Sequence, residues 1–445
     1  MRWTKTISST DDDHDGIPCY YLWSLHVSRL IMKPFDIAIV GGGLVGLTLV
    51  RALQPALDAG ARLVVIDPAP KPSDTAPQSP SFDDRATALS AYSCMAFERL
   101  GLGDELGRCG SPIRWIEVSD KGHAGYQVMD STDHPEGYFG RVIANASLGQ
   151  MLWQACQSLS QVDWCFSSEV STIETGQSHS NLILAHGESI QARHVILCDG
   201  GRSSLAQQLG IQYRTVDYQA RAVVATARTE HPHRGRAYER FTDTGPIAML
   251  PFGECSALVW TVPQRQEKRF QALTDIDRLA LLNQRFGDRL GRITEVGVLN
   301  SYPLQLRTAS ELARHRLLVL GNAAATLHPV AGQGFNLAIR SIMRTAALLN
   351  RQLQQNEDPG AIGPLQALAA EIQADQNVTA RFSDTLVRSF SHSRPWVQIG
   401  RSLGLNALDR HPLLGRGFAL ASMGLLQGAP LPKADTQLPS EGQPA

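Results

Sequence analysis

The clearest pattern in the chain starts with a short apolar run, Phe35-Asp36-Ile37-Ala38-Ile39-Val40. It passes through Gly41-Gly42-Gly43-Leu44-Val45-Gly46 into a longer apolar stretch over residues 47–57. A second short run, Arg62-Leu63-Val64-Val65-Ile66, ends at Asp67. Two runs of strand length separated by an apolar stretch of helix length predict a β-α-β unit. The glycine spacing at the first junction is the dinucleotide fingerprint. Gly41 serves the tight turn, Gly43 the approach of backbone to a pyrophosphate, and Gly46 the close packing of helix on strand. Phosphates would meet the helix N-terminus, and Asp67 stands where a carboxylate accepts hydrogen bonds from an adenosine ribose.

Residues 69–80 are rich in Pro and Ser and read as a loop. Residues 82–90 then predict the opening of a helix running toward Leu100, with Arg85 at its start. Arg85 either faces a cofactor or pairs with Asp83 or Asp84. Residues 113–118 and 138–143 read as strands and 147–158 as a helix. The strand at 194–198 leads into Asp199-Gly200-Gly201-Arg202-Ser203-Ser204, which is either an exposed turn that meets phosphate or ribose, or a loop between domains. Alternating stretches at 221–227, 237–241, 247–250 and 256–262, bounded by Gly and Pro, predict an antiparallel sheet with one face available to a ligand. Residues 274–290 read as an amphipathic helix with Ile276, Leu279, Leu282 and Phe286 near one face.

A third junction carries the most chemistry. The strand at 316–320 passes through Gly321-Asn322-Ala323-Ala324-Ala325-Thr326-Leu327-His328-Pro329-Val330-Ala331-Gly332-Gln333-Gly334-Phe335-Asn336 into a long helix over 336–354. Small residues crowded around one proline expose backbone, and Gly332 and Gly334 leave room for close approach. The segment reads as a seat for a large planar or phosphate-bearing ligand, against the alternative of a tight strand-to-helix turn.

Composition narrows the classes. At 445 residues and 43% hydrophobic, the chain can bury a large core in two or more domains. A net charge of -1 gives no pull toward nucleic acid. The seven cysteines include no C-x-x-C pair, so neither a disulfide framework nor a metal site is expected, and a reducing cytoplasm fits. No apolar run reaches the ~20 residues of a membrane-crossing helix. Residues 1–33 look foreign to the rest of the chain: an acidic cluster, Asp11-Asp12-Asp13-His14-Asp15, breaks the order of a signal peptide. They are expected to be a non-native or disordered extension, with Met32 as the natural start.

The three junctions, residues 41–46, 199–203 and 321–336 in this order, resemble the single-component flavin aromatic hydroxylases of the p-hydroxybenzoate hydroxylase fold. The resemblance covers nearly everything from Phe35 to about Leu426. Within that group Asp83-Asp84-Arg85-Ala86-Thr87-Ala88-Leu89, Glu239-Arg240-Phe241-Thr242-Asp243-Thr244-Gly245-Pro246, and Gly321-Asn322 followed by Thr326-Leu327-His328-Pro329 are similar to the ubiquinone-biosynthesis branch. Asn322 replaces the commoner acid, exchanging a charge-assisted hydrogen bond of about 1.5–3 kcal/mol for a neutral one of about 1 kcal/mol. Ala206 and Ser341 also depart from the group's pattern, where arginine and aspartate are common.

The resemblance implies an FAD-dependent monooxygenase that consumes NADH or NADPH and O2. It would hydroxylate a polyprenyl phenol of the 2-polyprenyl-6-methoxyphenol type through a flavin C4a-hydroperoxide. The cofactor carries the hard chemistry, so no metal and no nucleophilic side chain is needed. FAD would be held by Gly41, Gly43, Gly46, Asp67, Arg85, Asp199, Gly200, Gly321, Asn322 and Asn336. Its ring would lie beside Pro329, Gly332, Gln333 and Gly334, and the backbone N–H groups of residues 332–334 could stabilise negative charge on it. His328 is either a base toward the phenol or a packing residue before the proline. Alternatives are a hydroxylase of another ring position or of a soluble phenol, or a flavin-bearing scaffold subunit of a quinone-synthesis complex.

The expected fold class is α/β: a Rossmann-like FAD-binding domain assembled from discontinuous segments, with an inserted antiparallel-sheet substrate domain and C-terminal helices. The FAD-binding domain is expected over 34–110, 142–214 and 301–390, and the substrate domain over 111–141 and 215–300. A helical region over 391–428 precedes a disordered tail at 429–445. Within 394–427, Arg394, Arg401, Arg410 and Arg416 are interleaved with Trp396, Ile399, Leu403 and other apolar residues. This is either a surface that rests on anionic lipid or a partner protein, or a helix pair packed on the fold. The expected location is cytoplasmic, peripheral to the inner face of the membrane.

Overall fold

The computed structural model describes residues 34–72, 85–122, 126–132, 136–201, 204–327, 333–391 and 431. The chain divides into two units at Pro34/Phe35, and the second carries the fold. The expected extension at 1–33, the basic and apolar tail beyond 391, and His328, Pro329 and Gly332 lie outside the described residues.

The first part of the chain runs β1 (Phe35–Val40), α1 (Leu44–Ala52), α2 (Gln54–Asp58), β2 (Leu63–Asp67), β3 (Ala86–Ser90), α3 (Ala91–Arg99) and α4 (Gly103–Cys109). Next come β4 (Ser111–Ile113), β5 (Trp115–Asp120), β6 (Tyr126–Asp130), β7 (Gly140–Ala144), α5 (Asn145–Cys156), β8 (Val162–Phe166), β9 (Val170–Thr175), β10 (Ser180–Leu184), β11 (Ser189–Leu197) and α6 (Leu205–Gln208). The long strands β12 (Tyr213–Thr229), β13 (Arg236–Thr242), β14 (Gly245–Phe252) and β15 (Cys255–Pro263) precede α7 (Glu267–Gln271) and α8 (Asp275–Phe286). The chain then forms β16 (Ile293–Val296), β17 (Asn300–Ala309), β18 (Ala313–Arg314), β19 (Leu317–Val319), β20 (Ala325–Thr326), α9 (Gln333–Gln354) and α10 (Ile362–Ser391).

Strands β19, β11, β1, β2 and β8 lie side by side and run parallel. Ile37, Ala38 and Ile39 of β1 are wholly buried, as expected of a parallel strand covered on both faces. This α/β layer draws its strands from three separated stretches of sequence. Inserted between them is a larger sheet in the order β20-β17-β12-β15-β14-β13-β5-β6, antiparallel except where β13 runs beside β5. A small sheet, β3-β7-β4, completes the described strands.

The large sheet has two different faces. One is covered by α8, whose Leu282 and Phe286 pack with Tyr238, Ile247, Met249, Leu258 and Trp260. On the other, Ala237, Phe241 and Ala257 meet Ala91, Phe139 and Val142 from the neighbourhood of the small sheet. Helices α9 and α10 are joined by a buried ionic cluster. Arg340 donates two bonds to Asp375 at 2.9 Å and one to Thr379 at 3.0 Å, and Arg344 reaches Asp375 at 2.7 Å.

Three local expectations are corrected. Residues 86–90 form strand β3, paired with β7, instead of opening a helix. The helix starts at Ala91, because Ser90 supplies the N-cap, its hydroxyl accepting the Ser93 N–H. The first helix is interrupted at Leu53, and Pro55 sits in the first turn of the short α2 beyond it. Ile276 does not join the apolar stripe of α8: it is 80% exposed, one turn before the residues that meet the sheet.

Candidate functional site

The parallel strands bring the three junctions to one edge. Val40 is level with Leu197 and with Ile66, and Leu197 with Val319, so the strands end together. The turns after them open outside the carboxyl ends of the sheet, where such sheets bind ligands. Backbone bonds stitch them: Cys198 N–H donates to the Val40 carbonyl at 2.9 Å, Leu320 N–H to Leu197 at 2.9 Å, and Gly41 N–H to Ile66 at 2.8 Å.

The first turn demands glycine at both ends. Gly41 has φ of +114°, and a Cβ there would sit 2.5 Å from the Cys198 carbonyl oxygen. At Gly46 a Cβ would lie 1.9 Å from the Gly41 oxygen. Gly43 precedes α1 in extended backbone, no side chain caps that helix, and its first turn holds no acid. The N–H groups at the start of α1 are therefore left for an anion, which the helix dipole also favours. Asp67 closes the turn from β2: one carboxylate oxygen accepts Gly42 N–H at 2.6 Å and the other accepts Ala69 N–H at 2.8 Å. Each oxygen keeps a further lone pair for a ribose hydroxyl.

The second and third turns abut. Asp199 accepts Gly201 N–H at 2.9 Å, and Gly200 and Gly201 have φ of +77° and +68°. A Cβ on Gly201 would be 3.2 Å from the Asn322 carbonyl oxygen. Gly321, at φ +62°, rests on α1, where a Cβ would meet Val45 at 2.9 Å. Asn322 comes next in the chain, beside this contact and exposed.

Four contributors carry too little signal for the sequence to single them out. Buried Cys198 donates its thiol to the Gly41 carbonyl at 3.4 Å, and burial pushes the thiol pKa up, so it remains a donor. Tyr213 donates to the Ala323 carbonyl at 2.9 Å. Arg307 stacks 3.7 Å over the Tyr213 ring and donates to the Gly201 carbonyl at 3.4 Å. Val45 forms the floor under Gly321. Cys198 immediately precedes the acid of its turn, but its bond to Gly41 joins distant parts of the chain; Tyr213 and Arg307 come from strands of the large sheet and carry no local signal.

The described contacts of Asn336 and Arg85 lie at another corner. The Asn336 carbonyl accepts Ser90 N–H at 2.8 Å and the Ser93 hydroxyl at 2.7 Å, and its amide donates to Ala88 at 2.8 Å. It latches the start of α9 to the β3–α3 corner. Arg85 stacks 4.8 Å over Tyr302 of the large sheet, and its carbonyl accepts Asn145 N–H at 2.8 Å. The alternative partners Asp83 and Asp84 fall outside the described residues. Gln333 and Gly334 open α9, and a Cβ on Gly334 would meet nothing within 4 Å.

The residues present fit a dinucleotide. A glycine cradle that any Cβ would fill, a helix start without a cap, and two strand-end acids face the same edge. Among the described residues no group of His, Cys, Asp and Glu could hold a metal ion. Nor is any described helix long and apolar enough to cross a membrane.

Comparison with known proteins gives the same direction. Residues 34–362 match the family described as FAD binding domain. A ubiquinone hydroxylase, UbiL, of Rhodospirillum rubrum is 34% identical over 401 residues, covering 90% of this chain and 92% of that protein. The 3-demethoxyubiquinol 3-hydroxylase of Escherichia coli is 29% identical over 396 residues, covering 88% and 99%. In fold, p-nitrophenol 4-monooxygenase PnpA of Pseudomonas putida superposes with a TM-score of 0.72 at 18% identity, over 88% of this chain and 99% of that one.

Proposed function

The chain belongs to the FAD-binding-domain family and, within it, to the ubiquinone-biosynthesis hydroxylases, and on that premise we propose that it hydroxylates the ring of a polyprenyl phenol. Its cofactor is FAD and it is a flavoprotein monooxygenase that uses NAD(P)H and O2. The observation that carries the finer reading is identity of 34% along nine-tenths of the chain with a ubiquinone hydroxylase, joined to the glycine cradle at Gly41 and Gly46. We assign the substrate to the 2-polyprenyl-6-methoxyphenol class.

In this reading residues 41–46 hold the FAD diphosphate, Asp67 the adenosine ribose, and Asp199 with Asn322 the ribityl chain. Gly321 sets the turn that presents Asn322, and Gly200 gives the second turn its positive φ. The flavin ring belongs beside residues 329–334. Arg85 and Asn336 act as positioning residues, fixing the corner where α9, β3 and the large sheet come together. When bound, FAD supplies the redox and oxygen chemistry; the protein orients it, excludes water and holds the phenol. The α/β layer is the FAD-binding part, over 34–110, 142–214 and 301–390, and the large sheet the substrate part, over 111–141 and 215–300. We assign the basic and apolar segment over 394–427 to a surface that meets anionic lipid or a partner of the same biosynthetic assembly.

The test is product analysis in a bacterial strain lacking its own ubiquinone ring hydroxylases. Expression of this chain is expected to restore one hydroxylated intermediate and consume its polyprenyl phenol precursor. Unchanged intermediates in a strain that accumulates the yellow holoprotein would overturn the substrate assignment.

A further inference from the structure

Glu239 lies midway along β13, on the face of the large sheet that α8 does not cover. Its strand neighbours on that face, Ala237 and Phe241, pack with Ala91, Phe139 and Val142. The intervening Tyr238 points the other way and meets Phe286 of α8 at 5.9 Å between ring centroids. Pairing extends the row of Glu239 across the sheet through Ala248, Val259, Val224 and Asn300. The adjacent row ends at Tyr302, paired with Ala222, and Tyr302 is the residue over which Arg85 stacks. The face that carries Glu239 is thus the one turned toward the β3–α3 corner and its Asn336 latch.

That face is not closed. Val259 and Val224 lie on interior strands of the sheet, where side chains pressed against another layer would be fully buried, yet both are only half-buried. Glu239 is also half-buried, and burial pushes its carboxyl up to about 7. The half-buried Glu239, Val259 and Val224 lie in one row across the strands and leave a cleft on this face. No hydrogen bond or ion pair to the Glu239 carboxyl is found among the described residues. On the other side of the row, level with Val118, Gln127 is 3% exposed and its side-chain oxygen has no partner. A carboxyl and an amide oxygen without partners, on one apolar face, are costly features unless a ligand meets them.

We propose that Glu239 is a catalytic residue whose carboxylate accepts the hydroxyl proton of the phenol ring bound in this cleft, an assignment that rests on the polyprenyl-phenol substrate reading. The O–H bond of the phenol breaks, the proton passes to a Glu239 oxygen, and the electron pair stays on the phenol oxygen, enriching the ring for electrophilic oxygen transfer. The proton returns to water when product leaves. The step needs no co-reactant. Other titratable groups on this face are Asp120, level with Phe241 on β5, and Arg85 and Tyr302 at the far row. Among the described residues no charge shifts the Glu239 carboxyl beyond burial, so the pH response of the step is assigned to Glu239.

The experiment compares wild-type holoenzyme with Glu239→Gln and Glu239→Ala, using a methoxyphenol with a short prenyl chain as probe. Retained FAD and a melting temperature at pH 8 no lower than wild type establish the fold. Neutralising this carboxyl removes a burial penalty at that pH, since its folded-state value is raised and the penalty grows as pH rises above the ordinary 4.5 toward 7. Wild type should bind the probe with the absorbance change of phenolate formation, and its kcat should fall below about pH 7. Both variants should bind it as phenol, lose kcat by about 10²-fold or more with little change in KM, and lose the acidic limb. Variants that keep the phenolate signature, or the limb and the rate, overturn the assignment while leaving the substrate reading intact. A wild-type protein that neither binds nor oxidises the phenol overturns the substrate reading and the role of Glu239 with it.

Discussion

The side-chain carbonyl of Asn336 accepts the backbone N–H of Ser90 at 2.8 Å, joining the first turn of α9 to the N-cap of α3 across 246 positions of chain. The same amide binds Ser93 and Ala88, so one buried side chain satisfies the corner where three elements meet. The latch ties the start of α9 to the small sheet and to the helix that follows β3.

Asn336→Ala is expected to leave the Ser90 N–H and Ala88 carbonyl without their partner, at about 1–3 kcal/mol for each buried group. Thermal melts of apoprotein and holoprotein should both shift down by several degrees. Asn336→Asp should fare little better, because a carboxylate cannot donate to Ala88. A melting temperature equal to wild type in both variants would contradict the latch.

Gly46→Ala should express as a folded protein that does not retain FAD. The added methyl would lie 1.9 Å from the Gly41 oxygen, so the cradle must open and the phosphate N–H groups move apart. The ratio of visible flavin absorbance to protein absorbance after purification reads this directly. Full occupancy in the variant would show that the turn does not hold the diphosphate.

His194 gives the fold an acid sensitivity. It is wholly buried in the parallel sheet, neither ring nitrogen has a hydrogen-bond partner among the described residues, and burial depresses its pKa from 6.5 to about 3. The nearby Arg316 backbone favours the charged form without overcoming burial. The folded state therefore refuses a proton that the unfolded chain accepts. No stability is lost above pH 6.5, and about 1.4 kcal/mol is lost per pH unit below it until the folded value is reached. Melting temperature should fall more steeply between pH 6.5 and about 4 in wild type than in His194→Leu; parallel curves would contradict it.

Asp375→Asn should destabilise the α9–α10 pair by about 3–5 kcal/mol, since it removes the buried carboxylate that Arg340 and Arg344 share. Arg340 is 1% and Asp375 4% exposed. Denaturant unfolding reads the loss, and a midpoint unchanged from wild type would argue that the cluster is dispensable.

How much of the molecule is legible in its sequence depends on where each signal resides. The β-α-β fingerprint is legible because Gly41 and Gly46 sit at a turn of fixed spacing, and the buried strands read as continuous apolar runs. The sheet insertion is legible in its alternating pattern. Residues 86–90 mislead because Ala-Thr-Ala-Leu-Ser suits a helix locally, and only pairing with β7, more than fifty positions away, makes it a strand. The double duty of Asp67, the thiol of Cys198 and the Tyr213–Arg307 stack depend on chain crossings that no local window contains. Asn336 reads from sequence as a cofactor contact; its described bonds to Ser90, Ser93 and Ala88 link strand, cap and helix across the chain and carry no local signal.

The most direct test supplies purified holoenzyme with NAD(P)H, a short-chain prenylated methoxyphenol and isotopically labelled O2, and analyses the product by mass spectrometry. One labelled oxygen atom on the ring, with NAD(P)H consumed in proportion, is the predicted result. NAD(P)H oxidation that yields only hydrogen peroxide and leaves the phenol unchanged would contradict the account.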